Sequence, residues 1–281
     1  MSRRITTLVG LVVAAIGGTI GIHYRRDMAV AYGRIASGSR LIETRCGPFE
    51  YAEAGKGRPV LIVHGAGGGF DQGIAFGADL ARRGLRTIAM SRFGYLRTPM
   101  PADASAAAQA TAHVCLLDAL GIESAAVIGA SAGAPSAMQM AVRYPDRVGA
   151  LVLAVPATYV PRPGNLPPLT TPRGTEFLFS TALRSDFVFW TARHVMPNTL
   201  LRAILATPPA DLRTVNHAEH IPNARFVGYA TGGHIWAGHQ EELLTEIVSF
   251  LEGHLAPVVS RPDVTATAPR RARRDELMTM R

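Results

Sequence analysis

Short, uninterrupted apolar runs that alternate with helical patterns constrain this chain more than any other feature. Pro59-Val60-Leu61-Ile62-Val63 has no polar residue at alternate positions, as expected of a strand buried on both faces. Ser124–Ile128 and Val148–Leu153 read the same way, and Arg86–Met90 is a further short strand. Helical stretches at Asp71–Arg83, Ala102–Leu120 and Ala134–Tyr144 separate them, the second stopped by Gly121. This alternation predicts a mostly parallel sheet with helices on both faces. Ser39–Thr44 and Phe49–Ala54 flank Cys46-Gly47-Pro48 as a hairpin ahead of it. Residues 155–210 break the rhythm with prolines and an aromatic-rich helical stretch, Glu176–Leu205, read as a lid. Arg225–Tyr229 and Gln240–Leu251 then close the chain as a strand and a helix.

The composition is that of a globular domain with appendages. Of the 281 residues, 48% are hydrophobic and 18% charged, which excludes a disordered chain. Two cysteines, Cys46 and Cys115, exclude a cysteine-rich zinc module and a disulfide scaffold; a single disulfide stays open. The net charge of +8 lies wholly in the two ends. The first forty residues carry six arginines against one aspartate, and residues 257–281 carry six arginines against three acids. The body between them is balanced, so no nucleic-acid partner is expected of it.

Ile5 to Ile22 is an 18-residue run without a charge, bounded by Arg3-Arg4 and Arg25-Arg26. At ~1.5 Å per residue it just spans a ~30 Å hydrocarbon layer. Charged residues follow it where a cleaved export signal needs small polar ones, which favours an uncleaved anchor. Residues 1–27 are therefore read as a single-pass membrane anchor or signal-like segment, with lipid as its partner. Residues 28–256 are the globular domain and 257–281 a basic tail. The side of the membrane stays open. The arginine count favours a cytoplasmic body, while the short basic start followed by an apolar run is export-like.

Three loops carry chemistry. Gly129-Ala130-Ser131-Ala132-Gly133 follows one apolar run and opens a helix, the context of a G-x-S-x-G nucleophile turn. Such a turn lifts the serine hydroxyl above the sheet and sets the Ala132 amide at a helix N-terminus, where it faces a developing oxyanion. His64-Gly65-Ala66-Gly67-Gly68-Gly69 follows the Pro59–Val63 strand. It lacks the spacing of a dinucleotide loop and the G-K-[ST] of a P-loop. The remaining reading makes Ala66 the second oxyanion donor, with Gly67 as substitute, and His64 a structural residue. His234, after Gly232-Gly233, is the candidate general base; His239, five residues on, starts the last helix instead.

With these residues placed, the sequence resembles the α/β-hydrolase superfamily, in its serine-nucleophile, esterase- and C–C-hydrolase-like branch. The resemblance rests on Val63–Gly68, Ser91-Arg92-Phe93-Gly94-Tyr95, Gly129–Gly133, Tyr144-Pro145-Asp146-Arg147-Val148 and Gly233-His234, and spans residues 39 to 255. It implies an α/β-hydrolase fold with a helical lid and a serine–acid–histidine order. It also implies hydrolysis of a small-molecule, ester-like substrate by Ser131 and His234, with no cofactor and no metal. A C–C hydrolase or an acyltransferase fits the same scaffold. The acid is the departure. Asp211 is the candidate, but no apolar strand precedes it and only 23 residues separate it from His234. The sheet is thus expected to be one strand short near the acid. A catalytically degenerate, membrane-tethered binding protein is the rival from another class.

Overall fold

The computed structural model describes residues 3–157, 181, 184–196, 225, 227–228 and 238–255. An N-terminal helix, α1 (Arg3–Ser37), leads into the body. There, β1 (Arg40–Thr44) and β2 (Gly47–Ala54) form the expected hairpin. Next come β3 (Arg58–Val63), α2 (Phe70–Arg82), β4 (Leu85–Met90) and α3 (Ala106–Ala119). They are followed by β5 (Ala125–Ala130), α4 (Ala134–Arg143) and β6 (Val148–Ala154). Two further helices are α5 (Asp186–Val195), inside the expected lid, and α6 (Gln240–His254).

The six strands form one sheet in the order β1-β2-β4-β3-β5-β6. β3, β4, β5 and β6 run parallel, while β1 and β2 join antiparallel at one side. This is an α/β-hydrolase fold. Alternate residues of the central strands feed two separate cores, because successive side chains of a strand point to opposite faces. Leu61, Val63 and Val127 pack under α3 and α4 with Leu116, Leu117 and Met140. Val60, Ile62 and Ile128 pack under α2 and α6 with Leu80, Ile247 and Leu251. Buried-on-both-faces strands are why Pro59–Val63 reads as one continuous apolar run.

Three expectations need correction or completion. The alanine-rich helix starts at Ala106 rather than at Ala102, because Ser105 is in extended backbone and its Oγ accepts from the Ala108 amide as an N-cap. α1 extends 15 residues past Ile22, and no part of its most apolar window is covered by the rest of the protein. Cys46, in the β1–β2 turn, is bonded to Cys115 on α3, 69 residues away in sequence. The segment 197–224, where a strand was expected to be missing, lies outside the described residues, as does the tail 257–281. Of the expected strand Arg225–Tyr229, Arg225, Val227 and Gly228 are described, and none of the three is in a strand.

Candidate active site

β5 ends at Ala130 and α4 begins at Ala134, so the chain must reverse within a three-residue 3-10 turn, Ser131–Gly133. Ser131 takes φ +48°, in the left-handed region that costs a non-glycine residue about 1–3 kcal/mol. The two flanking glycines make the turn possible. A Cβ on Gly129 would stand 2.6 Å from Ala137 Cβ, and one on Gly133 would stand 2.4 Å from the Val63 carbonyl oxygen. The Ser131 carbonyl accepts a 3.0 Å bond from the Ala157 amide, tying the turn to the segment after β6.

The loop after β3 lies directly against this serine. A Cβ on Gly65 would approach Ser131 Cβ to 3.2 Å. The Gly65 amide donates to Gln72 Oε1 at 2.8 Å, which anchors the loop to α2. Ala66 and Gly67 beside it are exposed. His64 is buried; its Nε2 accepts from the Arg92 amide at 2.9 Å, which leaves Nδ1–H to donate to the Gly65 carbonyl at 2.7 Å. Burial, reinforced by the Arg92 charge and opposed by the Gly65 carbonyl, pushes its pKa down to about 4. His64 is therefore a neutral structural brace, as its position after the strand suggests.

Two residues that sequence reasoning placed in a motif without a role turn out to join the halves of the site. Arg92 donates to the Ala132 carbonyl at 3.2 Å and to the Gly65 carbonyl at 3.1 Å. Its guanidinium also lies over the Tyr95 ring, 4.9 Å from the centroid, and the Tyr95 hydroxyl donates to the Ala66 carbonyl at 3.3 Å. Behind the turn, Ser136 donates to the Gly133 carbonyl at 3.1 Å and accepts from His113 Nε2 at 3.1 Å. His113 is fully buried, and burial first, then Arg92 and His64, hold its pKa well below the ordinary value. Long-range bonds of this kind leave no local sequence signal. A cavity of about 280 Å³ opens beside Ala132, lined among others by Arg92, Tyr95, Gln109 and Pro135.

Ser131 thus adjoins Gly65, and Arg92 and Tyr95 link Ala132 to Gly65 and Ala66. His234 and Asp211 lie outside the described residues. His239 is the N-cap residue of α6, with Nδ1 3.0 Å from Glu242. Asp146 precedes β6, at the edge of the sheet opposite Ser131, and Asp186 begins α5. Among the described residues no group of three or more His, Cys, Asp or Glu is placed to hold a metal.

Residues 58–195 match the family described as alpha/beta hydrolase fold. An uncharacterized hydrolase, YcgS, of Bacillus subtilis is 41% identical over 107 residues, 38% of this chain and 37% of that protein. A 2-hydroxymuconate semialdehyde hydrolase of Pseudomonas putida is 36% identical over 104 residues, covering 36% of this chain and 37% of that protein. The chain thus matches less than half the length of these curated relatives. Among solved structures, an alpha/beta hydrolase fold protein from Nakamurella multipartita is 29% identical at a TM-score of 0.45, over 66% of this chain and 64% of its own.

Proposed function

Through residues 58–195 the chain belongs to the α/β-hydrolase superfamily, and from that premise we propose that it is a membrane-anchored serine hydrolase that cleaves carboxylic esters through an acyl-enzyme. The observation that carries the reading is Ser131 at φ +48° between β5 and α4, with the Gly65–Ala66 loop packed against it. In the proposed cycle His234 takes the Ser131 hydroxyl proton as Oγ attacks the ester carbonyl. The amides of Ala132 and Ala66, or Gly67 in its place, stabilise the oxyanion. Collapse of that intermediate breaks the C–O bond, and His234 returns the proton to the departing alcohol. Water, deprotonated by His234, then releases the acid and restores Ser131. Asp211 is the residue proposed to orient His234. The neutral brace at His64 supports this division of labour, since it keeps that histidine out of proton transfer.

A second reading, hydrolysis of a carbon–carbon bond, is favoured by the similarity to the Pseudomonas putida 2-hydroxymuconate semialdehyde hydrolase. Substrate trials with esters and with vinylogous diketo acids separate the two. The proposed anchor is α1, whose uncharged run is exposed from Ile5 to Ile20. The Cys46–Cys115 bond supports a body on the oxidising side of the membrane. The first test is labelling of the full chain with a fluorophosphonate probe, beside Ser131→Ala and His234→Ala. Labelling lost in both variants is expected. A cooperatively melting protein that takes no label would overturn the enzyme reading.

A further inference from the structure

α1 enters the body on the edge of the sheet that carries Ser131. Ser39, two residues beyond α1, donates to Glu50 at 2.6 Å and accepts from Arg97 at 2.6 Å. Glu50 sits level with the carboxyl end of β4, where its carbonyl accepts from the Ser91 amide. Gly38 lies against the Phe70 ring, directly after the Gly65–Gly69 loop; a Cβ there would stand 3.1 Å from it. The anchor and the site therefore share one side of the molecule.

The half of α1 that follows the uncharged run is not a bare stalk. Tyr24, Met28, Ala31 and Ile35 are half-buried at intervals of three and four residues, which is one helical stripe. Next to that stripe α1 is latched to α5. Tyr24 meets Phe187 and Trp190 edge-on, with centroids 5.2 and 5.6 Å apart. Trp190 Nε1 donates to Asp27 at 2.8 Å, and His194 Nε2 lies 3.5 Å from the same carboxylate oxygen. The Tyr32 hydroxyl donates to Asp186 at 2.7 Å. At ~1.5 Å per residue the Tyr24 and Asp27 contacts lie ~3–8 Å beyond Ile22, within the ~5–8 Å headgroup layer of one leaflet, and the Tyr32 contact lies ~15 Å beyond it, on the aqueous side of that layer. α5 leaves Phe187 and Phe189 about 40–45% exposed, and Val195 and Met196 are exposed at its end. Exposed arginines, Arg25 and Arg26, sit beside the latch on α1. Aromatic rings and arginines at one level are the composition of a membrane interface.

We propose that α5 is an interfacial element, held by α1 against the phospholipid surface on the side of the molecule that carries Ser131, so that the site receives amphiphilic esters from the bilayer rather than from water. The proposal rests on the membrane-anchored serine hydrolase reading. Its occupant is the lipid surface because Trp190 and His194, next to the exposed Val195 and Met196, meet α1 at Tyr24 and Asp27, two and five residues past the apolar run.

The test uses the full chain with Trp236→Phe, which leaves Trp190 as the sole tryptophan, reconstituted into phosphatidylcholine–phosphatidylglycerol vesicles. Lipids brominated near the top of the acyl chain should quench Trp190 by about half, and the pair Asp27→Asn with Tyr32→Phe should remove most of that quenching. The same pair should lower hydrolysis of p-nitrophenyl palmitate held in vesicles ~tenfold, while p-nitrophenyl acetate in water stays within about twofold. Trp190 unquenched in the inserted protein overturns the proposal, as does an equal loss on both esters. Quenching without any fluorophosphonate labelling keeps the lipid contact and overturns the hydrolase reading beneath it.

Discussion

A Cβ at position 133 would stand 2.4 Å from the Val63 carbonyl oxygen and 2.6 Å from that of His64, both backbone atoms that cannot rotate away. Gly133→Ala should therefore cost about 1–3 kcal/mol, read as a lower urea midpoint, because the turn must back off from β3. An unchanged midpoint would refute the close approach. Arg92 works differently. It donates to the Gly65 carbonyl, which shares a peptide unit with the Ala66 amide proposed for the oxyanion, and to the Ala132 carbonyl, so it fixes the two loops against each other. Arg92→Met should lower kcat ~10–100-fold with little change in KM, and Arg92→Lys should restore only part of it, since one ammonium replaces a planar fork. A change confined to KM would count against this role. The glycines were legible in the sequence because a strand–turn–helix leaves no other residue room there. The role of Arg92 was not, since its partners lie 27 and 40 residues away in sequence.

At the scale of elements, every strand read from the sequence among the described residues of β1 to β6 is present to within about two residues. The late start of α3 has a local cause: Ser105 caps it and shortens a run that alanine propensity alone would lengthen. The bond between Cys46 and Cys115 clamps the β1–β2 turn to α3. Closing a loop of that length should stabilise the domain by up to about 4 kcal/mol, so Cys46→Ser with Cys115→Ser should melt well below the parent. Alkylation of the denatured chain should add no label before reduction and two labels after it. One or two labels without reductant would contradict the pairing and, with it, the support for an oxidising side. The sequence left this pairing open because proximity across a hairpin and a helix is a tertiary fact.

Over the whole molecule, acid should be the weakness. Burial depresses His64 to about 4 and holds His113 low, so the unfolded chain, with histidines near ~6.5, takes up protons before the folded one does. Their contribution is complete above about pH 6.5 and is lost as the pH falls through the folded values. Glu50 continues the trend. Its carboxylate is buried, and although burial pushes its pKa up, bonds from Ser39, Arg97 and Ser91 outweigh that and hold it below the ordinary value. The stability it adds is present above about pH 4.5 and lost below it. Calorimetry should show the melting temperature falling steadily between pH 6.5 and 4; a flat profile over that range would contradict buried neutral histidines.

The apolar periodicity determined the layered fold, the sheet and the place of Ser131 in it, because strands buried on both faces and a reversal in three residues admit few side chains. The uncharged run determined that α1 has the length to cross a bilayer. Only the tertiary structure decided that Arg92 joins the two backbone loops, that Cys46 meets Cys115 and that Asp27 and Tyr32 hold α5. Each of these depends on residues distant in the chain meeting at one point, and no local pattern encodes such a meeting.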